Sequence, residues 1–188
     1  MKKLFWRLVA KLLAHRAVSS WLIGRAMRTP YEHIMSSDGA DMYMGRFWLF
    51  NPYAHGTYER KYLWCPWSIR IHHILKEDSD RDLHDHPWNA RTIILWGSYT
   101  EQRLIDRDDP VLDQLVVPDR AQVTEYIDRN PGDTATLNFG EYHRIDSVSP
   151  GGVFTLFISG PKMGSWGFLV DGVKVPWRKY LGLPERSS

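Results

Sequence analysis

The sequence predicts a mainly β protein, built as an antiparallel sandwich or a closed barrel and preceded by a helical segment. Two observations support this prediction. Apolar side chains recur at helical spacing near the amino terminus, within the first 30 residues. Beyond that segment, short stretches rich in β-branched and aromatic residues follow one another, separated by turn signals and without intervening helical patterns. Such a succession is typical of antiparallel β architectures.

Residues 3–14 carry the clearest helical pattern. Their apolar side chains are expected on one stripe, which comprises Leu4, Phe5, Leu8, Val9, Leu12 and Leu13. A second helix is expected to start at Ser19 or Ser20, either of which could cap it, and to end near Met27. The dipeptide Thr29-Pro30 then stops the helix, because the residue before a proline avoids the helical conformation.

The same segment is strongly basic. Seven Lys or Arg residues and no acidic residue precede Glu32. One interpretation is a helix that lies on an anionic membrane surface or on a partner. The other, which we prefer from sequence, is a helical pair whose apolar stripe packs on the main domain while its basic face is solvated. Residues 1–35 are therefore predicted to pack on or beside a β-barrel of residues 36–183, which a tail of residues 184–188 follows.

The strands of the β-domain are predicted from alternation and from the turns between them. Residues 67–75 alternate best, with Ile71 and His73 on one face and Arg70 and His72 on the other. Further strands are predicted at residues 46–50, 92–99, 121–127, 134–139, 153–159 and 166–170.

Composition excludes several classes of protein. The formal net charge of +2 is too small to argue for nucleic-acid binding. The single cysteine, Cys65, rules out an internal disulfide and fits a reducing compartment. No run approaches the ~18 uncharged apolar residues of a membrane span, and Arg7 and Lys11 interrupt the apolar core that a signal peptide would need. We therefore expect a cytoplasmic protein.

Two histidines, His84 and His86, stand one residue apart just before an apolar run. In an extended strand, residues i and i+2 point to the same face, so the two imidazoles would project side by side. Neutral imidazole is the commonest metal ligand at neutral pH. The pair fits two neighbouring ligands of one metal ion, or alternatively two half-buried polar residues.

A stretch further along the chain resembles the second signature motif of the cupin superfamily. Gly132, Gly140 and His143 fall in register with that motif. Asn138 stands where the motif has a proline, and Ser147 stands where it has an asparagine.

The stretch around the histidine pair resembles the first cupin motif. The pair and Gly97 match, Asp78 takes the place of the leading glycine, and the glutamate is missing because its position falls on Ala90 or Arg91. The resemblance covers roughly residues 67–160. The chain also looks like uncharacterised cupin-like proteins of bacteria and their phages.

The resemblance implies a jelly-roll barrel, the double-stranded β-helix, with one metal ion held by His84, His86 and His143. Iron is the first choice for three neutral histidines, with zinc, nickel and copper as alternatives. Because three-histidine cupin sites are similar to those of thiol dioxygenases, we expect an iron-dependent dioxygenase acting on a small molecule. Asp85, between the ligands, should face away from the metal and play a structural or supporting role.

The alternative is a binding module without turnover, which would recognise a small ligand or a partner protein. Such a module could be a phage-encoded or membrane-associated accessory protein. The sequence is also compatible with a homodimer. Further candidates for the site are three arginines that could bind an anionic substrate, a tyrosine that could line a pocket, and two adjacent histidines of which one would face the barrel interior. These residues are Arg70, Arg91, Arg144, Tyr142, His72 and His73.

Overall fold

A computed structural model describes residues 2–36, 39–54, 57, 59–80, 82–105 and 123–184 of the chain. Helix α1 spans Lys2–Ala14 and helix α2 spans Arg16–Ala26. The elements that follow are β1 Ile34–Met35, β2 Met42–Phe50, β3 Ser68–Ile74, β4 Ala90–Trp96, β5 Tyr99–Leu104, β6 Thr124–Arg129, β7 Thr134–Leu137, β8 His143–Val148, β9 Val153–Ser159, β10 Gly167–Val170, β11 Val173–Pro176 and α3 Trp177–Tyr180.

The strands pair antiparallel and build two sheets and a ribbon. The larger sheet has the order β1-β2-β3-β9-β4-β7 and the smaller sheet the order β6-β5-β8, while β10 and β11 form the ribbon. Both sheets line one central cavity. The predicted mainly β, antiparallel fold with amino-terminal helices is confirmed. The described strands form separate sheets rather than one continuous ring.

The larger sheet has two different faces. On β3, Ile71 is fully buried in a cluster with Ala10 and Ala26 of the helices. The next residue, His72, points to the opposite face and lines the cavity, as the alternation of a strand requires. The helices therefore cover one face of this sheet, and the cavity lies on the other.

Helix α1 packs on the sheet with a face that overlaps the predicted stripe only in part. The packed side chains are Trp6, Val9, Ala10 and Leu13, at the i, i+3, i+4, i+7 spacing of one helix face. Leu8 and Leu12, which were expected on the packed stripe, are 61% and 64% exposed. The predicted stripe is therefore wrong in part. Val9 and Leu13 do pack on the sheet, but Leu4, Phe5, Leu8 and Leu12 are exposed, because the apolar arc of this helix is wider than the area that the sheet covers.

Helix α2 starts earlier than predicted. His15 is its N-cap residue, and Ser19 lies inside the helix, where its Oγ donates a hydrogen bond to the carbonyl oxygen of Arg16 at 3.2 Å. A serine within a helix can bond back to the preceding turn in this way, so it need not be a cap. No helix among the described residues combines the length and the apolarity that crossing a bilayer requires.

The predicted strand at residues 92–99 is in fact the end of β4, a turn and the start of β5. Gly97 makes this turn with a φ of +72°, and a Cβ atom there would lie 2.3 Å from the carbonyl oxygen of Gly152. Of the predicted strand at 121–127, residues 121 and 122 lie outside the described part of the chain, and β6 continues two residues further, to Arg129.

Candidate metal centre

Three histidines meet at one end of the cavity. The backbones of His84 and His143 are joined by two reciprocal hydrogen bonds, from His84 N to His143 O at 2.9 Å and from His143 N to His84 O at 3.0 Å. His86 follows on the same face two residues later. One nitrogen from each of the three imidazoles lies within 4.8 Å of the other two, so the structure brings together the histidines that the sequence singled out.

The spacing of these nitrogens fits a metal ion. His86 Nε2 lies 2.9 Å from His143 Nε2. Two nitrogens bound at about 2.1 Å and at right angles to each other would lie about 3.0 Å apart. The three histidines could therefore hold one metal ion, with His86 and His143 as neighbouring ligands.

Burial keeps two of the imidazoles neutral. It lowers the pKa of His84 to about 4, although Asp78 opposes this shift. It also lowers the pKa of His86 well below the ordinary value of 6.5, and the neighbouring His143 acts in the same direction. A neutral imidazole offers a lone pair to a metal, so both side chains are in the ligand form at neutral pH.

Glu101, which the sequence analysis did not consider, lies behind His143. Its side chain is 1% exposed, and its Oε1 atom is 2.9 Å from His143 Nδ1. The same carboxylate lies 2.8 Å from Arg103 Nε and 2.9 Å from Arg129 Nε. Burial alone would raise its pKa, but His143 and the two guanidinium groups outweigh burial and lower the pKa to about 2. Glu101 is therefore ionised, and it fixes the ring of His143 with Nε2 toward His86.

Asp78 occupies a comparable position near His84. Its Oδ2 atom accepts a hydrogen bond from the backbone N–H of Ile145 at 2.7 Å and lies 3.9 Å from His84 Nδ1. The hydroxyl of Tyr43 donates to Oδ1. Asp78, which aligned with a glycine of the cupin motif, thus contributes a negative charge beside one of the histidines.

Asp85 points away from the histidines, as expected from alternation. It is fully buried, accepts a hydrogen bond from the backbone N–H of Gly167 at 2.8 Å, and pairs with the ammonium group of Lys174. Gly167 and Lys174 lie on β10 and β11. Asp85 therefore anchors the ribbon and takes no part in the histidine cluster.

The cavity beside the histidines has a volume of about 570 Å³. Most of its wall is aromatic or aliphatic, and among its buried nitrogens without a hydrogen-bond partner in the described residues are the donors Arg70 Nε and Trp88 Nε1 and the ring nitrogen His72 Nε2. Burial, followed by the charges of Arg70 and Arg46, lowers the pKa of His72 to about 3. A ligand with an acceptor group would satisfy donors that are otherwise left unpaired at a cost.

The other candidates from the sequence lie elsewhere. The guanidinium of Arg91 stacks over the ring of Trp6 on the helical side of the sheet, 4.5 Å from its centroid. Arg144 pairs with Asp146 at 3.0 Å. His73 Nε2 is 3.0 Å from the carbonyl oxygen of Gly151. These residues and Tyr142 are absent from the described wall of the cavity, so Arg70 and His72 are the candidates that the structure places beside the histidines.

No protein-family model matches the sequence, and no curated protein matches it. Solved structures do match. A mutant of oxalate decarboxylase from Bacillus subtilis is similar over 82% of this chain and 32% of its own, with 11% identity and a TM-score of 0.47. A mannose-6-phosphate isomerase-like protein from Ralstonia eutropha JMP134 matches over 55% of this chain and 78% of its own, with 15% identity and a TM-score of 0.38.

A third similar structure is Fe(II)-HppE with an alternative substrate, which matches over 70% of this chain and 54% of its own, with 12% identity and a TM-score of 0.41. The chain thus spans about a third of the decarboxylase and about half of HppE. The proteins it is similar to have the cupin fold. All three TM-scores are below 0.5 and all three identities are at or below 15%, so these likenesses carry no conclusion about the chemistry of this chain.

Proposed function

We propose that this protein is a mononuclear metal-binding cupin that acts on a small anionic molecule, with His84, His86 and His143 as the metal ligands. The observation that carries the proposal is the 2.9 Å separation of His86 Nε2 and His143 Nε2 between a half-buried and a buried ring. Iron is the preferred metal, and zinc, nickel or copper would suit the same donors. We propose residues 36–183 as the unit that carries the site.

A bound divalent metal would supply Lewis acidity and, in the case of iron, redox chemistry with dioxygen. The residues of the chain have separate tasks. Glu101 holds the ring of His143 in place from behind, Asp78 places a negative charge near His84, and the aromatic wall keeps water away from the reacting groups. Arg70 presents an unpaired donor, and His72 an unpaired ring nitrogen, to an anionic group of the substrate, and Arg70 so orients that group toward the histidines. On this basis we propose a dioxygenase reaction.

Metal content tests the site. Elemental analysis of protein purified without added metal should find about one transition-metal ion per chain in the wild type and at least tenfold less in His143→Ala. His73→Ala is the matched control, because His73 lies outside the cavity, and this variant should keep its metal. A wild type that stays metal-free even after incubation with Fe(II), Zn(II), Ni(II) or Cu(II) would refute the proposed site.

Oxygen consumption tests the reaction. The metal-loaded protein should consume dioxygen with at least one member of a panel of small thiols and small acids, and Arg70→Met should weaken this response. If metal is bound but the panel gives no consumption, while titration calorimetry still detects binding of an anionic compound, the site is a binding module rather than a dioxygenase.

A further inference from the structure

The outward face of the amino-terminal helices is apolar, although the helices are already packed. On α1, Leu4, Leu8 and Leu12 are spaced four residues apart and so share one face, and all three are exposed. Phe5 lies beside them, and Trp21 on α2 is 67% exposed. We call these five residues the outer apolar stripe. Single exposed apolar residues need no explanation, but four neighbouring ones on α1 together with Trp21 on α2 indicate a contact with something outside the chain.

The charge that the two helices carry has one sign. Seven Lys or Arg residues lie in α1, α2 and the turn after them, and all seven are exposed: Lys2, Lys3, Arg7, Lys11, Arg16, Arg25 and Arg28. The sequence has no acidic residue before Glu32. Arg7 and Lys11 each directly precede a leucine of the stripe, so cations border it along its length. An apolar stripe bordered by cations is the pattern of a helix that lies in the interface of an anionic membrane.

The position of the helices in the fold suits such a contact. Their inner face packs on the larger sheet through Ala10, Ala26 and their neighbours, and the cavity lies on the opposite face of that sheet. The stripe is therefore an outer surface, and a flat partner could cover it without blocking the cavity. Helix α1 has 13 residues, about 20 Å at 1.5 Å per residue, so it can lie along a bilayer surface but is too short to cross it.

We propose that the outer apolar stripe and its seven cations bind the protein peripherally to membranes that contain anionic lipids. The exposed leucines, Phe5 and Trp21 enter the interface, while the Lys and Arg side chains contact lipid headgroups. Charge decides against a second copy of the chain as the occupant. In a two-fold contact the same basic surface would face itself, and like charges would repel.

Vesicle cosedimentation of the full-length protein tests the proposal. Vesicles of phosphatidylcholine with phosphatidylglycerol should bind the protein at least about tenfold more tightly than vesicles of phosphatidylcholine alone, and salt should weaken the binding. The variant Leu8→Ser/Leu12→Ser should lower the affinity about tenfold or more, because each leucine loses its apolar contact. Met163→Ser/Val173→Ser is its control, since these residues are similarly exposed on the β-domain, and it should bind like the wild type.

A second pair of variants isolates the charge. Lys3→Gln/Arg7→Gln/Arg16→Gln should weaken binding to the anionic vesicles roughly a hundredfold. The control Lys61→Gln/Lys162→Gln/Lys179→Gln removes the same net charge from exposed positions outside the two helices and should have little effect. If both triple variants lost the same vesicle affinity, binding would depend only on the net charge of the protein, and the proposal would be overturned.

Two further outcomes would also overturn it. One is equal binding to neutral and anionic vesicles, or none to either, by a wild type whose circular dichroism shows it folded. The other is a stable dimer, detected by light scattering, that Leu8→Ser/Leu12→Ser dissociates, because a second copy would then be the occupant. Monomeric protein whose vesicle binding follows both the leucines and the cations would support the proposal.

Discussion

Neutralising Glu101 should damage both the stability of the fold and the metal site. Glu101→Gln keeps the size of the side chain but removes the charge that Arg103, Arg129 and His143 share. The pKa of this carboxyl falls from its ordinary 4.5 to about 2 in the folded protein, which corresponds to roughly 3 kcal/mol of stabilisation in the ionised form. We expect a similar loss of unfolding free energy in the variant at pH 7.

The pH dependence has a defined sign. Because the pKa of Glu101 is lower in the folded than in the unfolded chain, its stabilisation is fully present above pH 4.5 and is lost as the pH falls toward 2. Urea denaturation of the chelator-treated protein should therefore show a large difference between wild type and Glu101→Gln at pH 7 and a much smaller one near pH 2.5. The variant should also bind metal about 10- to 100-fold more weakly, since His143 loses its orienting partner.

A matched variant controls for the loss of one carboxylate. Glu125, on the adjacent strand β6, is exposed, and Glu125→Gln should change neither stability nor metal affinity appreciably. If Glu101→Gln were as stable as the wild type at pH 7 and kept its metal, the assignment of Glu101 as the group that orients His143 would be refuted.

Three other substitutions probe separate parts of the structure. Arg70→Met should weaken binding of an anionic ligand about 10- to 100-fold in calorimetry by removing charged donors, while Arg91→Met, on the other face of the sheet, should leave affinity unchanged. Asp85→Asn should lower the unfolding free energy by roughly 2 kcal/mol or more, because it weakens the buried contact with Lys174, yet the variant should retain metal by elemental analysis. Gly97→Ala should lower the free energy of unfolding by roughly 1–3 kcal/mol, and so the melting temperature by several degrees. The reasons are the positive φ of residue 97 and the carbonyl oxygen close to its Cβ position.

The sequence carried enough information to locate the three histidines, and too little to find what supports them. His84 and His86 form a local pattern, and His143 follows a glycine turn at motif spacing. Glu101 has no such local signal, because its partner His143 lies on another strand 42 positions later. One hint was present: in β5, Tyr99, Glu101 and Arg103 alternate onto one face, and a glutamate beside a tyrosine on that face suggests a charge turned inward.

The side of helix α1 that contacts the sheet is determined by packing and could not be predicted from hydrophobic periodicity. The apolar residues of α1 cover more than half of its circumference, so the helical pattern predicts the helix but not which side contacts the sheet. Trp6, which the sequence stripe omitted, packs inward and stacks with Arg91. Leu8 and Leu12, which it included, remain outside. Only the shape of the sheet surface distinguishes the two sides, and that shape is set by residues far away in the chain.

The segment of residues 84–86 serves two purposes with three consecutive side chains. Its first and last residues turn one way, into the histidine cluster, while Asp85 turns the other way and ties down the ribbon of β10 and β11. A shift of this short stretch of backbone would therefore move both the histidine pair and the anchor of the ribbon. If docking of the ribbon strengthens metal binding, bound metal must strengthen docking of the ribbon. The two effects have the same coupling free energy. The ribbon, although distant in sequence, is therefore tied through Asp85 to the segment that carries two of the three histidines.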